Sequence, residues 1–132
     1  MKVPQRMLDE MTAHAREDAP NESCGLIGGT PDEAQTLHRA ENAEASPFRY
    51  SIAPREQLEL MNQIDEDGQG VAAIYHSHTR TPAYPSQTDI NLASGWPDAV
   101  YIIVSLEHPD APVVKAFRIE GSKVEDVDIR TS

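Results

Sequence analysis

Two histidines, a serine and an aspartate lie close together in the stretch IYHSHTRTPAYPSQTD (residues 74–89). If this stretch begins as a β-strand, His76 and His78 project from the same face and can converge on one metal ion. Ser86 lies where a helix N-cap belongs, and Asp89 follows in the first turn of that helix. Two imidazoles and one carboxylate leave a fourth coordination position for water, which is typical of catalytic zinc sites. The spacing therefore predicts a catalytic zinc ion held by His76, His78 and Asp89.

A zinc-dependent hydrolase also needs a base that takes a proton from water. Glu22, in NESCGLIGG, precedes a buried strand that can run beside the histidine-bearing strand, and we predict that it is this base. Ser86 is predicted to donate a hydrogen bond to the oxyanion of the tetrahedral intermediate. Two plainer interpretations stay open at this point. Ser-x-x-Asp before an apolar helix is also a capping box that needs no metal, and histidines are common in exposed turns.

Hydrophobic periodicity and turn residues predict helices and strands that would position these side chains. Helices are predicted over 4–18, 54–68 and 87–95, and strands over 24–29, 34–41, 48–52, 70–78, 99–106, 111–120 and 123–130. In the second helix, Leu58, Met61 and Ile64 are predicted to share one face, and Gly68 to end the helix. The order of elements predicts an α/β (α+β) fold with helices packed against one principal mixed sheet.

Composition limits the classes of protein to which this chain can belong. Its 132 residues can bury a core without disulfides, and no repeat or linker divides them, so one domain over 1–132 is predicted. The net charge is -11 and no run of Lys or Arg is present, so nucleic acid is not expected as a partner. The longest apolar stretch is too short to cross a bilayer, and the N-terminus has charges where a signal peptide is apolar. A cytoplasmic protein without a membrane partner is predicted.

The five candidate residues together resemble the JAMM motif of MPN-domain zinc peptidases, which is Glu, then His-x-His, seven residues, Ser, two residues and Asp. The order of predicted elements is also similar to that family, so the resemblance covers nearly the entire chain. It implies a single catalytic domain with a mixed sheet, flanking helices and cytidine-deaminase-like layering. It also implies that His76, His78 and Asp89 bind one Zn²⁺, that Glu22 is the general acid/base, and that Ser86 stabilises the oxyanion.

The stretches HSHTRTPAYPSQTD, ESCGLIGG and AENAEASPFRY more closely resemble a bacterial branch of this family, the CysO-cysteine peptidases. This resemblance implies a small ubiquitin-like sulfur carrier protein ending in Gly-Gly as the partner. Cysteine amide-linked to the terminal glycine would be released, as a step of cysteine biosynthesis. Thr79 stands where the deubiquitinating members usually have proline, and the chain has no room for the large insertions that grip ubiquitin. These departures concern the subfamily and leave the chemistry unchanged.

Two other functions stay open from the sequence alone. One is an enzyme that trims extra C-terminal residues from a sulfur carrier precursor to expose Gly-Gly. The other belongs to a different class, a metal-free MPN scaffold subunit that keeps the fold and has lost the ligands. The intact motif favours an enzyme, and nothing in the sequence indicates the oligomeric state.

Three further residues near the motif are candidates for substrate binding or reactivity. Arg80 can meet the carboxylate of a bound or released cysteine, and Tyr84 can form a wall of the groove for the carrier tail. The alternative interpretation is a solvated arginine and a packing aromatic. Cys24 is predicted to be a buried small hydrophobe rather than a metal ligand.

Overall fold

The computed structural model describes residues 1–96 and 98–131, and its central feature is a six-stranded mixed sheet. In chain order the elements are α1 (Gln5–Asp18), β1 (Cys24–Thr30), β2 (Glu33–Ala40), α2 (Pro54–Glu66), β3 (Gly70–His78), α3 (Gln87–Leu92), a short 3₁₀ helix (Ala93–Gly95), β4 (Val100–Ser105), β5 (Val113–Glu120) and β6 (Lys123–Val127). The strand order is β2-β1-β3-β4-β5-β6. Only β3 and β4, which α3 connects, are parallel, and the other neighbours are antiparallel. The predicted α+β fold with helices flanking a mixed sheet is confirmed.

Strand β3 lies in the middle of the sheet and is buried on both faces. It pairs with β1 on one side, where Cys24 lies opposite His76, and with β4 on the other, where Ile103 lies opposite His76. Because both faces are covered, the strand is a nearly continuous apolar run until its last three residues. Ile74 packs into the cluster on the α2 side and Tyr75 into the cluster on the α1 side. By the two-residue period, His76 and His78 face the α2 side.

Helix α1 covers the opposite face of the sheet. Met7, Met11 and Ala15 recur at helical spacing, and they pack with Ile102 and Val104 of β4. Pro4 lies at the N-cap, so the predicted start of this helix is correct to within one residue. Within the described residues, no helix is long and apolar enough to cross a bilayer.

Helix α2 forms where it is predicted, but it buries a different face. Leu60 and Ile64 are buried, whereas Leu58 is 61% exposed and Met61 is 39% exposed. Leu58 lies about 200° around the helix from Leu60, so the two cannot face the sheet together. Of the three residues predicted to share one face, only Ile64 is therefore buried. The helix packs on the sheet through a neighbouring apolar stripe that contains Leu60 and Ile64, because two apolar stripes overlap in this short helix.

The strand predicted over 48–52 is also wrong, because this segment is irregular. Its backbone is held instead by the buried side chain of Asn42. The Asn42 amide donates to the carbonyls of Glu22 at 3.0 Å and Arg49 at 3.0 Å, and its carbonyl accepts from the Ser51 amide at 3.3 Å. Side-chain hydrogen bonds thus replace the ladder that a strand would need.

Candidate metal centre and active-site cavity

Three side-chain atoms from β3 and α3 converge at one point. The Nε2 atoms of His76 and His78 lie 3.1 Å apart, and each lies 3.1 Å from Oδ2 of Asp89. Metal–ligand bonds of about 2.0–2.1 Å at tetrahedral angles would place the ligand atoms about 3.3 Å apart. All three side chains are almost completely buried. Two imidazoles and a carboxylate at these separations fit a divalent metal ion such as zinc.

The loop that follows β3 orients the His78 ring. Its Nδ1 lies 2.9 Å from the carbonyl oxygen of Pro82. A carbonyl only accepts, so Nδ1 carries the proton and the lone pair of a neutral ring lies on Nε2, toward Asp89. Such a backbone partner fixes the tautomer of a metal-binding histidine.

Asp89 belongs to the donor cluster and to a helix cap at the same time. Its amide donates to Oγ of Ser86 at 3.1 Å, and the Ser86 amide donates to Oδ2 of Asp89 at 2.9 Å, which completes a capping box. Burial alone would raise the pKa of Asp89. The polar neighbours His76, His78 and the Ser86 amide outweigh burial and hold that pKa well below its usual range. The cap and the donor cluster are therefore compatible interpretations of one sequence pattern.

Glu22 is a buried carboxyl group beside this cluster. Its amide donates to the Ser46 carbonyl at 2.9 Å, and its carbonyl accepts from Asn42, so the loop after β2 fixes its backbone. Within the described residues, Oε1 of Glu22 is buried without a hydrogen-bond partner. Burial, with smaller contributions from Asp89 and Glu44, raises the pKa of Glu22 to about 8, and His78 opposes the change. A carboxyl group of this pKa can gain and lose a proton near neutral pH.

A cavity of about 360 Å³ joins these groups to the surface. Glu22, His78 and Ser86 all line it. The rest of its lining is apolar at Pro20, Pro47 and Phe48 and polar at Thr79, Arg80 and Thr81. The predicted base, a predicted metal ligand and the predicted oxyanion donor therefore face one space.

The two residues predicted to bind substrate lie in different places. Arg80 is exposed and lines the same cavity as Glu22. Tyr84 does not line this cavity. It borders a neighbouring one with Ser105, and its ring packs edge-on against Phe117 at a centroid distance of 5.4 Å. The structure thus brings Arg80, but not Tyr84, to the cavity that contains Glu22.

Two residues that support the site are not identifiable from the sequence pattern. The ring of Tyr50 stacks on His76 at a centroid distance of 4.6 Å and an interplanar angle of 23°. The side-chain amide of Asn42, in the loop before α2, donates a hydrogen bond to the backbone carbonyl of Glu22. Both lie in the stretch AENAEASPFRY, from the end of β2 toward α2, which resembles the family as a whole but in which no periodicity distinguishes these two residues from their neighbours. Only the long-range packing reveals their positions.

Cys24 is buried, as predicted. Burial, together with Glu56, Asp18 and Glu22, raises the pKa of its thiol to about 12. The thiol therefore stays protonated at neutral pH, and a protonated thiol is a poor ligand and a poor nucleophile. Cys24 is not a member of the His76, His78 and Asp89 cluster.

Comparison with known proteins places this chain in a family. Residues 4–120 match the family described as prokaryotic homologs of the JAB domain. A CysO-cysteine peptidase of Mycobacterium tuberculosis is 39% identical over 124 residues, which cover 91% of this chain and 84% of that protein. A desampylase of Haloferax volcanii is 37% identical over 105 residues, 74% of each chain. A protein of Desulfitobacterium hafniense, solved in solution, has a TM-score of 0.89 at 36% identity and covers 99% of this chain and 92% of its own.

Proposed function

The chain belongs to the family of prokaryotic JAB-domain homologs and is a metallopeptidase of the JAMM type, and we propose a specific reaction for it. The substrate is a ubiquitin-like sulfur carrier protein whose C-terminal glycine is amide-linked to cysteine. Hydrolysis of that amide releases cysteine and regenerates the carrier. The similarity to a CysO-cysteine peptidase supports this substrate class.

One observation carries the proposal: Glu22, His78 and Ser86 line a single cavity beside the His76 and Asp89 side chains. At about 360 Å³, the cavity is near the lower end of the ~300–1,000 Å³ range of small-ligand sites. A Gly-Gly tail has no side chains and needs little room, so it suits a site of this size. A carrier tail can therefore bring its last carbonyl to these groups while the folded carrier stays outside.

We propose that His76, His78 and Asp89 hold one zinc ion. When bound, the ion supplies a Lewis acid that polarises a carbonyl and makes water a stronger nucleophile at neutral pH. The Pro82 carbonyl and the capping box keep the His78 and Asp89 donor atoms pointing at each other. The protein thus preorganises the donors before substrate arrives.

Glu22 is proposed to move the proton. Water adds to the glycine carbonyl carbon, and the Glu22 carboxylate accepts the proton that the water loses. The carbon–nitrogen bond then breaks, and Glu22 returns this proton to the amine of the leaving cysteine. Burial favours the protonated form of Glu22 after the first transfer. The positive charge of a zinc ion held by His76, His78 and Asp89 would favour the carboxylate before it.

Ser86 is proposed to stabilise the oxyanion. Its Oγ accepts from the Asp89 amide, so the hydroxyl hydrogen is free to donate into the cavity that Ser86 lines. A preorganised donor aimed at the developing negative charge is typically worth about 2.7–4 kcal/mol in the transition state. The helix cap thus positions a catalytic donor.

Intact-mass spectrometry tests the proposed substrate. A sulfur carrier ending in Gly-Gly-Cys and a carrier precursor extended by several other residues are each incubated with zinc-loaded protein, and chelator-treated protein is the control. We expect the first substrate to lose the mass of one cysteine residue, and only with zinc. Cleavage of the extended precursor alone would assign the chain to precursor trimming, and cleavage of neither would overturn the carrier proposal.

A further inference from the structure

One arginine, Arg80, lines the active-site cavity, and no acidic group among the described residues pairs with its guanidinium. Among residues 1–96 and 98–131, no carboxylate oxygen lies within 4.0 Å of Arg80. Most other arginines in these two ranges are unpaired in the same way, and Arg80 differs from them because it lines the cavity that contains Glu22. An unpaired guanidinium that shares a cavity with Glu22 is therefore available to a ligand.

The chemistry of the proposed substrate restricts what this guanidinium can recognise. The Gly-Gly end of a carrier has no charged side chain near the bond that is cleaved. On the other side of that bond, a single cysteine carries a free α-carboxylate, and its thiol is mostly neutral at pH 7 because its ordinary pKa is about 8.5. The α-carboxylate is thus the one anionic group within a residue of the reacting carbonyl. A guanidinium binds such a carboxylate with two parallel hydrogen bonds.

We propose that Arg80 binds the α-carboxylate of the leaving amino acid and so makes this enzyme selective for adducts that end one residue after the glycine. This inference rests on the proposed function, and it specifies which adducts of the carrier the enzyme prefers. An amide to a lysine side chain of a folded protein presents no carboxylate at that position. A longer C-terminal extension places its carboxylate further away. Both are poorer substrates for the same catalytic groups.

The contact is expected to act on binding more than on the chemical step. The carboxylate is not altered in the reaction, so Arg80 contacts it equally in the ground state and the transition state, and its loss raises KM more than it lowers kcat. Arg80 is exposed, and solvent screening reduces the strength of the pair. We therefore expect an effect of roughly tenfold on kcat/KM, below that of a fully buried charge pair.

A comparison of two substrates that differ only at the carboxylate tests this inference. A carrier thioester is ligated to cysteine in one preparation and to cysteinamide in the other, which replaces the carboxylate by a neutral amide. Zinc-loaded wild type, Arg80→Gln and Arg55→Gln are assayed on both. Arg55 is an exposed arginine of α2 that does not line the cavity, so its variant is the matched control.

The wild type and Arg55→Gln are expected to prefer the carboxylate by roughly tenfold in kcat/KM, with most of the difference in KM. Arg80→Gln is expected to cleave both substrates at the rate that the wild type shows with the cysteinamide. Equal cleavage of both substrates by the wild type would overturn the inference and leave the proposed function intact, as would a loss in Arg80→Gln that is equal for the two substrates. Cleavage of neither substrate by the wild type would overturn the proposed function itself.

Discussion

The two histidines at the end of β3 are held by different means. His78 donates from Nδ1 to the Pro82 carbonyl, which is the usual way to fix a metal-binding imidazole. Within the described residues, Nδ1 of His76 is buried and has no hydrogen-bond partner. The stacked ring of Tyr50 covers His76 instead. Tyr50 is therefore a positioning residue that acts by packing.

Replacing Tyr50 tests this role. Tyr50→Ala is expected to weaken zinc binding about tenfold, because the imidazole loses the surface that fixes its plane. Tyr50→Phe is expected to retain wild-type affinity, since it keeps the ring. Competition between apo protein and a zinc chelator measures the affinity directly and does not depend on activity.

A matched variant separates positioning from a general loss of packing. Ile52 packs against the same cluster as Tyr50, and Ile52→Ala also removes buried apolar surface. We expect Ile52→Ala to lower the melting temperature and leave zinc affinity unchanged. An equal loss of affinity in Ile52→Ala and Tyr50→Ala, or none in Tyr50→Ala, would show that the stack has no positioning role.

At the scale of elements, a buried hydrogen bond connects α1 to the strand that carries the histidines. The hydroxyl of Tyr75 lies 2.7 Å from Nδ1 of His14, and Nε2 of His14 lies 3.2 Å from Asp18. The ring of Tyr75 crosses β1 at Gly25, where a Cβ would lie 2.4 Å from the ring and 2.5 Å from the His38 carbonyl. Only glycine permits this crossing. The first glycine of the CGLIGG run, Gly25, is thus required by the packing of Tyr75 of β3 across β1.

This connection makes the stability of the fold depend on pH. Burial lowers the pKa of His14 below its ordinary 6.5, and Arg39 adds to this effect, whereas Asp18, Glu17 and Glu10 oppose it. As the pH falls through about 6.5, His14 therefore becomes protonated in the unfolded chain while it is still neutral in the folded chain. The contribution of His14 to stability is complete above that pH and is lost as the pH falls below it, by up to about 1.4 kcal/mol for each pH unit.

Urea unfolding of wild type and His14→Gln at about pH 8 and pH 5.5 measures this contribution. The difference between the two proteins removes the effect of the other titrating groups. We expect the wild type to lose more free energy of unfolding than His14→Gln between the two values of pH. An identical loss of unfolding free energy in both proteins would mean that folding does not lower the pKa of His14.

The elements that can be predicted from the sequence are those with a local cause. Strand β3 follows from its apolar run, and α3 from its capping box. Residues 48–52 have the composition of a strand, but long-range bonds from Asn42 hold them in an irregular path. The buried face of α2 likewise depends on which apolar side chains meet β1 and β3. Neither outcome is encoded in a short window of sequence.

At the scale of the whole molecule, the donor cluster and the cavity differ in how far the sequence predicts them. His76, His78 and Asp89 lie within one strand–loop–helix unit, so a period of two and a helix cap suffice to bring them together. The cavity also needs Pro47 and Phe48, which arrive from the loop between β2 and α2. Their approach depends on packing between distant segments. The chemistry of the site is therefore more predictable than its shape.

The role of Glu22 as the base is measured on wild type, Glu22→Gln and Glu59→Gln, which are compared for zinc content and for cleavage of a carrier ending in Gly-Gly-Cys. Glu59 is an exposed glutamate of α2 and serves as the control. We expect all three proteins to bind one zinc ion per chain, and Glu22→Gln alone to lose about 10²–10⁴-fold in rate, because a neutral amide cannot carry the proton. Near-wild-type turnover by zinc-loaded Glu22→Gln would contradict the assignment of Glu22 as the base.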